Sequence, residues 1–291
     1  MEEGIIIRRY AGFYYVDTGA KIWECRLRGR HRLTEQDFLA GDRVRITPVG
    51  PQQGVIEEVL PRRTRLERPA VANVDLVMVV MSFVSPPPDL KLLDRLLILA
   101  AAHGIEAGIC WNKVDLIEAG EGRLPGFYSS LGYSSILTSA RTGQGIPELG
   151  RLLAGHIAAF AGPSGVGKSS LLNALIPGLA LKTGEVSRKI DRGRHTTRHV
   201  ELLRLPGGGL IADTPGFSRL DLPKMERQEL ASYFPEMLPF LGRCRFNSCL
   251  HRSEPGCAVR EAVAAGKVDG TRYKHYLEFL EEIILKEKEY Y

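Results

Sequence analysis

Short runs of β-formers separated by glycine-containing turns open the chain. Ile5–Ile7, Phe13–Val16 and Lys21–Arg28 read as strands. In the third, Trp23, Cys25 and Leu27 alternate with Glu24, Arg26 and Arg28, which gives one apolar and one mostly basic face. After a turn at Gly41-Asp42, Val44 and Ile46 alternate with Arg43 and Arg45, and Gly54–Leu60 reads as a closing strand. Five or so antiparallel strands within residues 1–65 predict a small barrel of the OB type, an architecture that commonly binds oligonucleotides.

From about 66 to 222 the pattern switches to alternating strands and helices. Val74–Met81 is a near-continuous apolar run, as a strand buried on both faces requires. Beyond Pro86-Pro87-Pro88, Leu92, Leu93, Leu96, Leu97 and Leu99 mark the buried stripe of a helix over Leu90–Ala102. Glu106–Trp111, Ser135–Thr138, His156–Ala161, Val200–Leu205 and Leu210–Ala212 read as further strands, and a helix starts at Lys168. The last segment, about 223–291, reads as helical. Glu226–Phe234 predicts a short helix stopped by Pro235, and Tyr273, Tyr276, Leu277, Leu280 and Ile284 form the apolar stripe of a terminal helix.

At 291 residues the chain is long enough for two or three units with cores of their own. Lys plus Arg exceeds Asp plus Glu by 39 to 34, too mild an excess to argue for nucleic acid unless the cations cluster. The first thirty residues lack the apolar core of a signal peptide and no run approaches a membrane span, so the expectation is a cytoplasmic protein with no membrane partner. Five cysteines in a reducing compartment leave metal ligation or burial rather than a disulfide framework.

Chemistry sits just past the strand ends. Gly162-Pro163-Ser164-Gly165-Val166-Gly167-Lys168-Ser169 follows a strand and opens a helix. Its glycines let backbone N–H groups curl around phosphate oxygens, and the helix aims its positive end at them. Lys168 reaches the β- and γ-phosphates and Ser169, beside Ser170, ligates Mg²⁺ in such a loop. Base identity comes from Asn112-Lys113-Val114-Asp115. A carboxylate at Asp115 accepts from guanine N1–H and the exocyclic amine together, whereas adenine would leave it unpaired. The stem of Lys113 can cover the ring, Asn112 suits tying the loop together, and Ser139 and Ala140 of Thr138-Ser139-Ala140 offer N–H groups towards guanine O6. Asp213-Thr214-Pro215-Gly216 supplies a carboxylate behind the Mg²⁺ ligands and a flexible N–H at Gly216 for the γ-phosphate.

The order is rotated: the guanine motif precedes the phosphate loop, which makes this a circularly permuted GTPase domain. The long basic linker from about 182 to 198 reads as a switch loop, with Thr196 and Thr197 both candidates for a Mg²⁺ ligand. Phe217 stands where many GTPases carry a water-orienting Gln, so slow intrinsic turnover is expected, with His195 or a partner completing the site. Because the chain runs from Gly216 through Leu222 into the cysteine-bearing segment, a shift at Gly216 would be transmitted to the C-terminal unit. There Cys244, Cys249, His251 and Cys257 form a C-x4-C-x-H-x5-C cluster, four ligands suited to one structural tetrahedral Zn²⁺ and surrounded by Arg243, Arg245, Arg252 and Arg260. Cys25 and Cys110 read as buried bystanders.

Taken together these residues resemble the ribosome small-subunit-dependent GTPase A family (RsgA-type circularly permuted GTPases) over essentially the whole chain, including Gly193-Arg194-His195-Thr196-Thr197 and Phe217. The resemblance implies an OB-type RNA-binding barrel at 1–65, a central α/β circularly permuted P-loop GTPase domain at 66–222 and a helical zinc-binding domain at 223–291. It also implies a factor that binds the small (30S) ribosomal subunit and 16S rRNA late in assembly, hydrolyses GTP slowly alone and faster when docked, and then leaves. Nothing suggests an obligate oligomer. Motifs and spacing alone establish only a GTPase flanked by a basic β-domain and a zinc domain. A regulatory GTPase gripping protein, or an RNA-binding module using GTP as an ordering ligand, would share them.

Overall fold

The computed structural model describes residues 1–28, 38–67, 70–117, 123–181, 200–213 and 221–289. Strands β1 (Glu2–Tyr10), β2 (Phe13–Asp17), β3 (Ile22–Leu27), β4 (Arg43–Pro48) and β5 (Gln53–Val59) close into a barrel in the order β1-β2-β3-β5-β4. The wholly antiparallel set expected from sequence needs one correction: β3 and β5 run parallel. Five strands cannot alternate direction around a closed ring, so one neighbouring pair must run the same way. Irregularities between Ile6 and Arg8 and between Arg45 and Ile46 bend the strands into the closure. Ile6, Val16, Trp23, Cys25, Ile46 and Ile56 fill the interior. A short hairpin, β6 (Arg65–Glu67) and β7 (Ala70–Ala72), joins the barrel to the central α/β unit, with Ala72 N–H donating to Ala40 O at 2.9 Å.

The central sheet has six strands among the described residues, in the order β10 (Ser134–Leu137), β9 (Glu106–Asn112), β8 (Leu76–Ser82), β11 (Ile157–Ala161), β13 (Leu210–Asp213), β12 (Glu201–Arg204). All neighbours are parallel except β12, an antiparallel edge. Every residue of β8 is buried, as its unbroken apolar run demands. Helices α1 (Leu90–Ala102) and α2 (Arg123–Ser130) cover one face through Leu93, Leu96, Leu97 and Tyr128. The other face packs α3 (Ile146–Leu153) and α4 (Lys168–Leu175) through Leu149, Leu153, Leu171 and Leu172. Asp89 caps α1, its carboxylate accepting from Leu92 N–H at 2.9 Å.

The C-terminal segment departs from the reading of Glu226–Phe234 as a helix stopped by Pro235. It holds a 3-10 turn at Leu230–Tyr233 and a second at Pro235–Phe240. Phe234 precedes a proline, which disfavours helical backbone, and its φ of −109° and ψ of 100° are extended. Pro235 then opens the next turn, where its missing N–H costs nothing. Beyond lie α5 (Ala258–Ala264) and α6 (Gly270–Glu289). Tyr276 and Leu280 are buried on α6 together with Phe279 and Ile283, while Tyr273, Leu277 and Ile284 are partly covered. Leu222 and, from α1, Ile98 belong to the same core.

Two sets of ion pairs lock the three parts together. On α1, buried Asp94 accepts from Arg272, from Tyr128 Oη at 3.0 Å and pairs with His275 Nδ1 at 2.6 Å, and Arg272 also reaches Glu236. Arg95 grips Glu282 with two bonds of 3.1 and 2.6 Å. At the other end Arg204 of β12 pairs with Asp17 of the barrel, and Arg8 with Glu201 at 3.3 Å. Among the described residues no helix is long and apolar enough to cross a membrane.

Candidate functional site

Parallel strands put their carboxyl ends on one edge of the sheet, where ligands of open α/β folds bind. Asn112 ends β9, Thr138 follows β10, Gly162 follows β11 and Asp213 ends β13, its backbone opposite Glu201. Only β8 separates β9 from β11, so the rotated motifs meet at one edge.

Asn112 is the joint. Its buried side chain donates from Nδ2 to Val166 O at 2.8 Å and accepts at Oδ1 from Ala140 N–H and Thr138 Oγ1, each at 3.3 Å. One amide thereby fastens the phosphate loop, the Thr138–Ala140 turn and the end of β9. Gly167 at φ +97° permits this approach, since a Cβ there would lie 2.3 Å from Asn112 Nδ2. Gly162 is equally constrained: at φ +136° its Cβ would meet Val80 O at 2.2 Å. Lys113, at φ +64°, sends its ammonium to Gly165 O at 2.6 Å and to Ser85 O, a second tie to the phosphate loop. Val114 N–H donates to Thr138 O at 3.1 Å.

Asp115 lies beside this joint with its side chain 10% exposed. One carboxylate oxygen accepts from Ser139 Oγ at 2.5 Å and the other from Arg141 Nε at 2.8 Å. The Ser139 hydroxyl, opposed by burial and aided by Arg141, holds the Asp115 carboxyl below the usual carboxylate range, so it is ionised at neutral pH. Ser139 is itself buried, its N–H bonded to Gln144 O at 2.9 Å and its hydroxyl accepting from Thr142 N–H at 3.1 Å. Cys110 is less idle than its sequence position suggested: its Sγ lies 3.1 Å from Thr138 Oγ1 behind the loop, and burial pushes its thiol up to about 12. Cys25 is a core residue of the barrel.

Lys168 opens α4 and donates to Gly162 O at 2.9 Å and Pro163 O at 2.7 Å. Burial pulls its ammonium below the ordinary lysine value, so an anion placed there would be held strongly. Ser169 and Ser170 occupy the first turn of α4 and are partly exposed, while Ser164 and Gly165 stand at the open lip of the loop. His195, Thr196, Thr197, Gly216 and Phe217 lie outside the described residues. Sequence reasoning missed Ser85 and Arg141. Arg141 could have been found as the cation directly after Ala140, whereas nothing in the spacing marks Ser85 as an acceptor for Lys113.

The second cluster brings Cys244, Cys249, His251 and Cys257 together, with their ligand atoms all within 4.8 Å of one another. Cys244 and Cys257 sulfurs are 3.9 Å apart, and His251 Nδ1 lies 3.5 and 3.4 Å from them. A tetrahedral Zn²⁺ with ordinary Zn–S and Zn–N bonds would separate sulfurs by ~3.8 Å and sulfur from nitrogen by ~3.6 Å, so the donor set fits that ion. Burial pulls His251 below its ordinary value, which favours the neutral ligating imidazole. Tyr273 Oη donates to His251 O at 2.6 Å and Tyr276 Oη to Leu250 O at 2.7 Å, so α6 shapes the ligand loop. Cys257 also caps α5, accepting from Arg260 N–H at 3.5 Å.

Comparison with known proteins agrees with this geometry. Residues 59–223 match the family model described as RsgA GTPase, and residues 3–56 match the RsgA N-terminal domain. The chain is 62% identical over 288 residues to the small ribosomal subunit biogenesis GTPase RsgA of Moorella thermoacetica, covering 99% of each. It is 50% identical to the protein of that name from Carboxydothermus hydrogenoformans, covering 98% of this chain and 99% of the relative. The crystal structure of YjeQ from Thermotoga maritima superposes with a TM-score of 0.85 at 38% identity, covering 97% of this chain and 98% of that one. That of YloQ, a circularly permuted GTPase, gives 0.84 at 38% identity, covering 98% of this chain and 96% of that one.

Proposed function

Since the chain belongs to the RsgA GTPase family and is therefore a GTP hydrolase, we propose that it acts on the small (30S) ribosomal subunit, bound to 16S rRNA, and assists its late maturation. In this reading the GTP state controls docking and release. The observation that supports the nucleotide half is the Asn112 joint, whose side chain ties the guanine motif to the phosphate loop despite their reversed order. The names of the relatives carry the ribosomal half.

Roles follow from the chemistry of each group. Asp115 reads the guanine edge, and Lys113 and Val114 complete the base loop. Contrary to the sequence expectation, Ser139 N–H is held by Gln144 O, so Ser139 acts by holding the Asp115 carboxylate, and Ala140 N–H would turn from Asn112 Oδ1 to meet O6. Gly162, Pro163, Ser164, Gly165, Val166 and Gly167 wrap the phosphates, and Lys168 neutralises the β- and γ-oxygens. Ser169, with Ser170 beside it, and one of Thr196 or Thr197 would hold Mg²⁺, Asp213 would stand behind these ligands, and Gly216 would face the γ-phosphate. When bound, Mg²⁺ supplies positive charge for the phosphoryl oxygens. Cys244, Cys249, His251 and Cys257 would hold one structural Zn²⁺. The working parts are an RNA-binding barrel at 1–65, the GTPase domain at 66–222 and the zinc domain at 223–291. On the barrel, Arg26 lies 4.7 Å over the Phe13 ring and Tyr10 is exposed, a basic and aromatic surface suited to RNA. Exposed Arg243, Arg245, Arg252 and Arg260 beside the metal cluster offer a second set of phosphate contacts. The protein works as a monomer in the cytoplasm.

Phe217 cannot orient the attacking water, so we assign that task to His195, completed on the subunit. Phosphate release measured with and without purified small subunits tests the proposal. Subunits should accelerate multiple turnover severalfold or more; equal rates contradict the ribosomal reading. His195→Ala should lose the acceleration while keeping GTP affinity, and unchanged turnover would refute that role.

A further inference from the structure

Asp115 must offer its carboxylate to an incoming base, yet both of its oxygens are engaged by the chain itself. The two partners differ. Ser139 is buried and fixed within its turn by Gln144 and Thr142. Arg141 is 73% exposed, and Asp115 is the acceptor its guanidinium reaches among the described residues. It costs little to move. The neighbouring cation, Lys113, is committed elsewhere, to the carbonyls of Ser85 and Gly165.

The chemistry of the two donors coincides. Guanine presents to a carboxylate the N1–H and N2–H groups of a planar guanidine unit built into its ring. An arginine presents the same kind of planar N–H donors, charged. A carboxylate held to select one is also a receptor for the other. We propose that Arg141 is an internal competitor of guanine: it occupies Asp115 between the departure of one nucleotide and the arrival of the next, and the base must displace it to bind. This rests on Asp115 being the base-reading residue. It makes Arg141 a positioning residue that limits nucleotide affinity and association rate, rather than a group that holds the base.

The sign distinguishes this from an ordinary supporting contact. A residue that merely supported the pocket, or stacked on the base, would weaken binding when removed. A competitor strengthens binding when removed. An exposed ion pair of this kind supports a change of about two- to fivefold. The test measures GDP and GTP binding to the full chain carrying Arg141→Ala, by calorimetry and by stopped-flow with a fluorescent GDP. It is repeated with xanthosine nucleotides in an Asp115→Asn background, where the carboxylate is gone. We expect Arg141→Ala to bind GDP and GTP about two- to fivefold more tightly, chiefly through faster association, and to gain nothing in the Asp115→Asn background. The background also subtracts any long-range effect of the arginine's charge on the phosphates. Weaker or unchanged binding, or a gain that persists in the Asp115→Asn background, overturns the inference. Should Asp115→Asn itself fail to exchange guanine for xanthine preference, the base-reading assignment falls, and the inference with it.

Discussion

At Gly167 a single hydrogen atom separates a working pocket from a collision. A methyl group there would press on Asn112 Nδ2 at 2.3 Å while the backbone stayed at φ +97°. The substitution Gly167→Ala therefore adds left-handed strain of about 1–2 kcal/mol and breaks a buried hydrogen bond of about 1 kcal/mol. Nucleotide binding needs the loop in its present shape, so GTP affinity should fall by roughly 30-fold or more. Calorimetric titration checks this, and wild-type affinity in the variant would show that Asn112 does not organise the site. Asn112, Lys113, Asp115 and Lys168 were legible in the sequence because their chemistry requires fixed local spacing. Arg141 and Ser85 were not, because their contacts depend on how two loops face each other across the sheet edge.

At the scale of elements, the α/β segment was legible because each strand's apolar run and each helix's leucine stripe are local signals. The run of Val74–Met81 became β8, and the stripe over Leu90–Ala102 became α1 with the same ends. What escaped was tertiary. Asp94 breaks the stripe of α1 as an isolated acid, which on sequence grounds belongs to a solvated face. It is buried because Arg272, His275 and Tyr128 converge on it from α6 and α2. The 3-10 turns at 230–240 escaped for a similar reason: prolines at 235 and 239 forbid a regular helix, and burial of Leu230, Phe234 and Met237 supports the irregular path. Arg272→Met would leave Asp94 and Glu236 without their shared cation. It should cost about 3–5 kcal/mol of unfolding free energy, and Asp94→Leu added to it should recover part of that loss. Denaturant titration decides; a cost below about 1 kcal/mol would mean that the pairing does not secure α6 to α1.

For the whole molecule, the C-terminal part depends on two fastenings, the α1–α6 ion pairs and the cysteine–histidine cluster. Apart from Ile98, contributed by α1, its apolar core comes from residues 222–284, a small unit for independent stability. Stripping zinc with a strong chelator, or Cys257→Ser, should loosen residues 244–257 and raise their amide exchange while leaving the β8–β11 strands protected. Unchanged exchange in the metal-free protein would show that the cluster is not a structural metal site. Cys257→Ser also weakens the cap of α5, so exchange in Ala258–Ala264 should rise with it.

Each assignment at the nucleotide site presupposes a single pocket built from motifs in rotated order. Competition binding reads this out: GTP, ATP and XTP displacing a fluorescent GDP from the full chain and from its Asp115→Asn variant. Asp115 left unpaired by adenine should make ATP on the order of 100-fold weaker or worse. GTP should therefore displace far better than ATP, and the variant should prefer XTP. Equal displacement by ATP and GTP, or a variant that still prefers GTP, would refute the shared pocket.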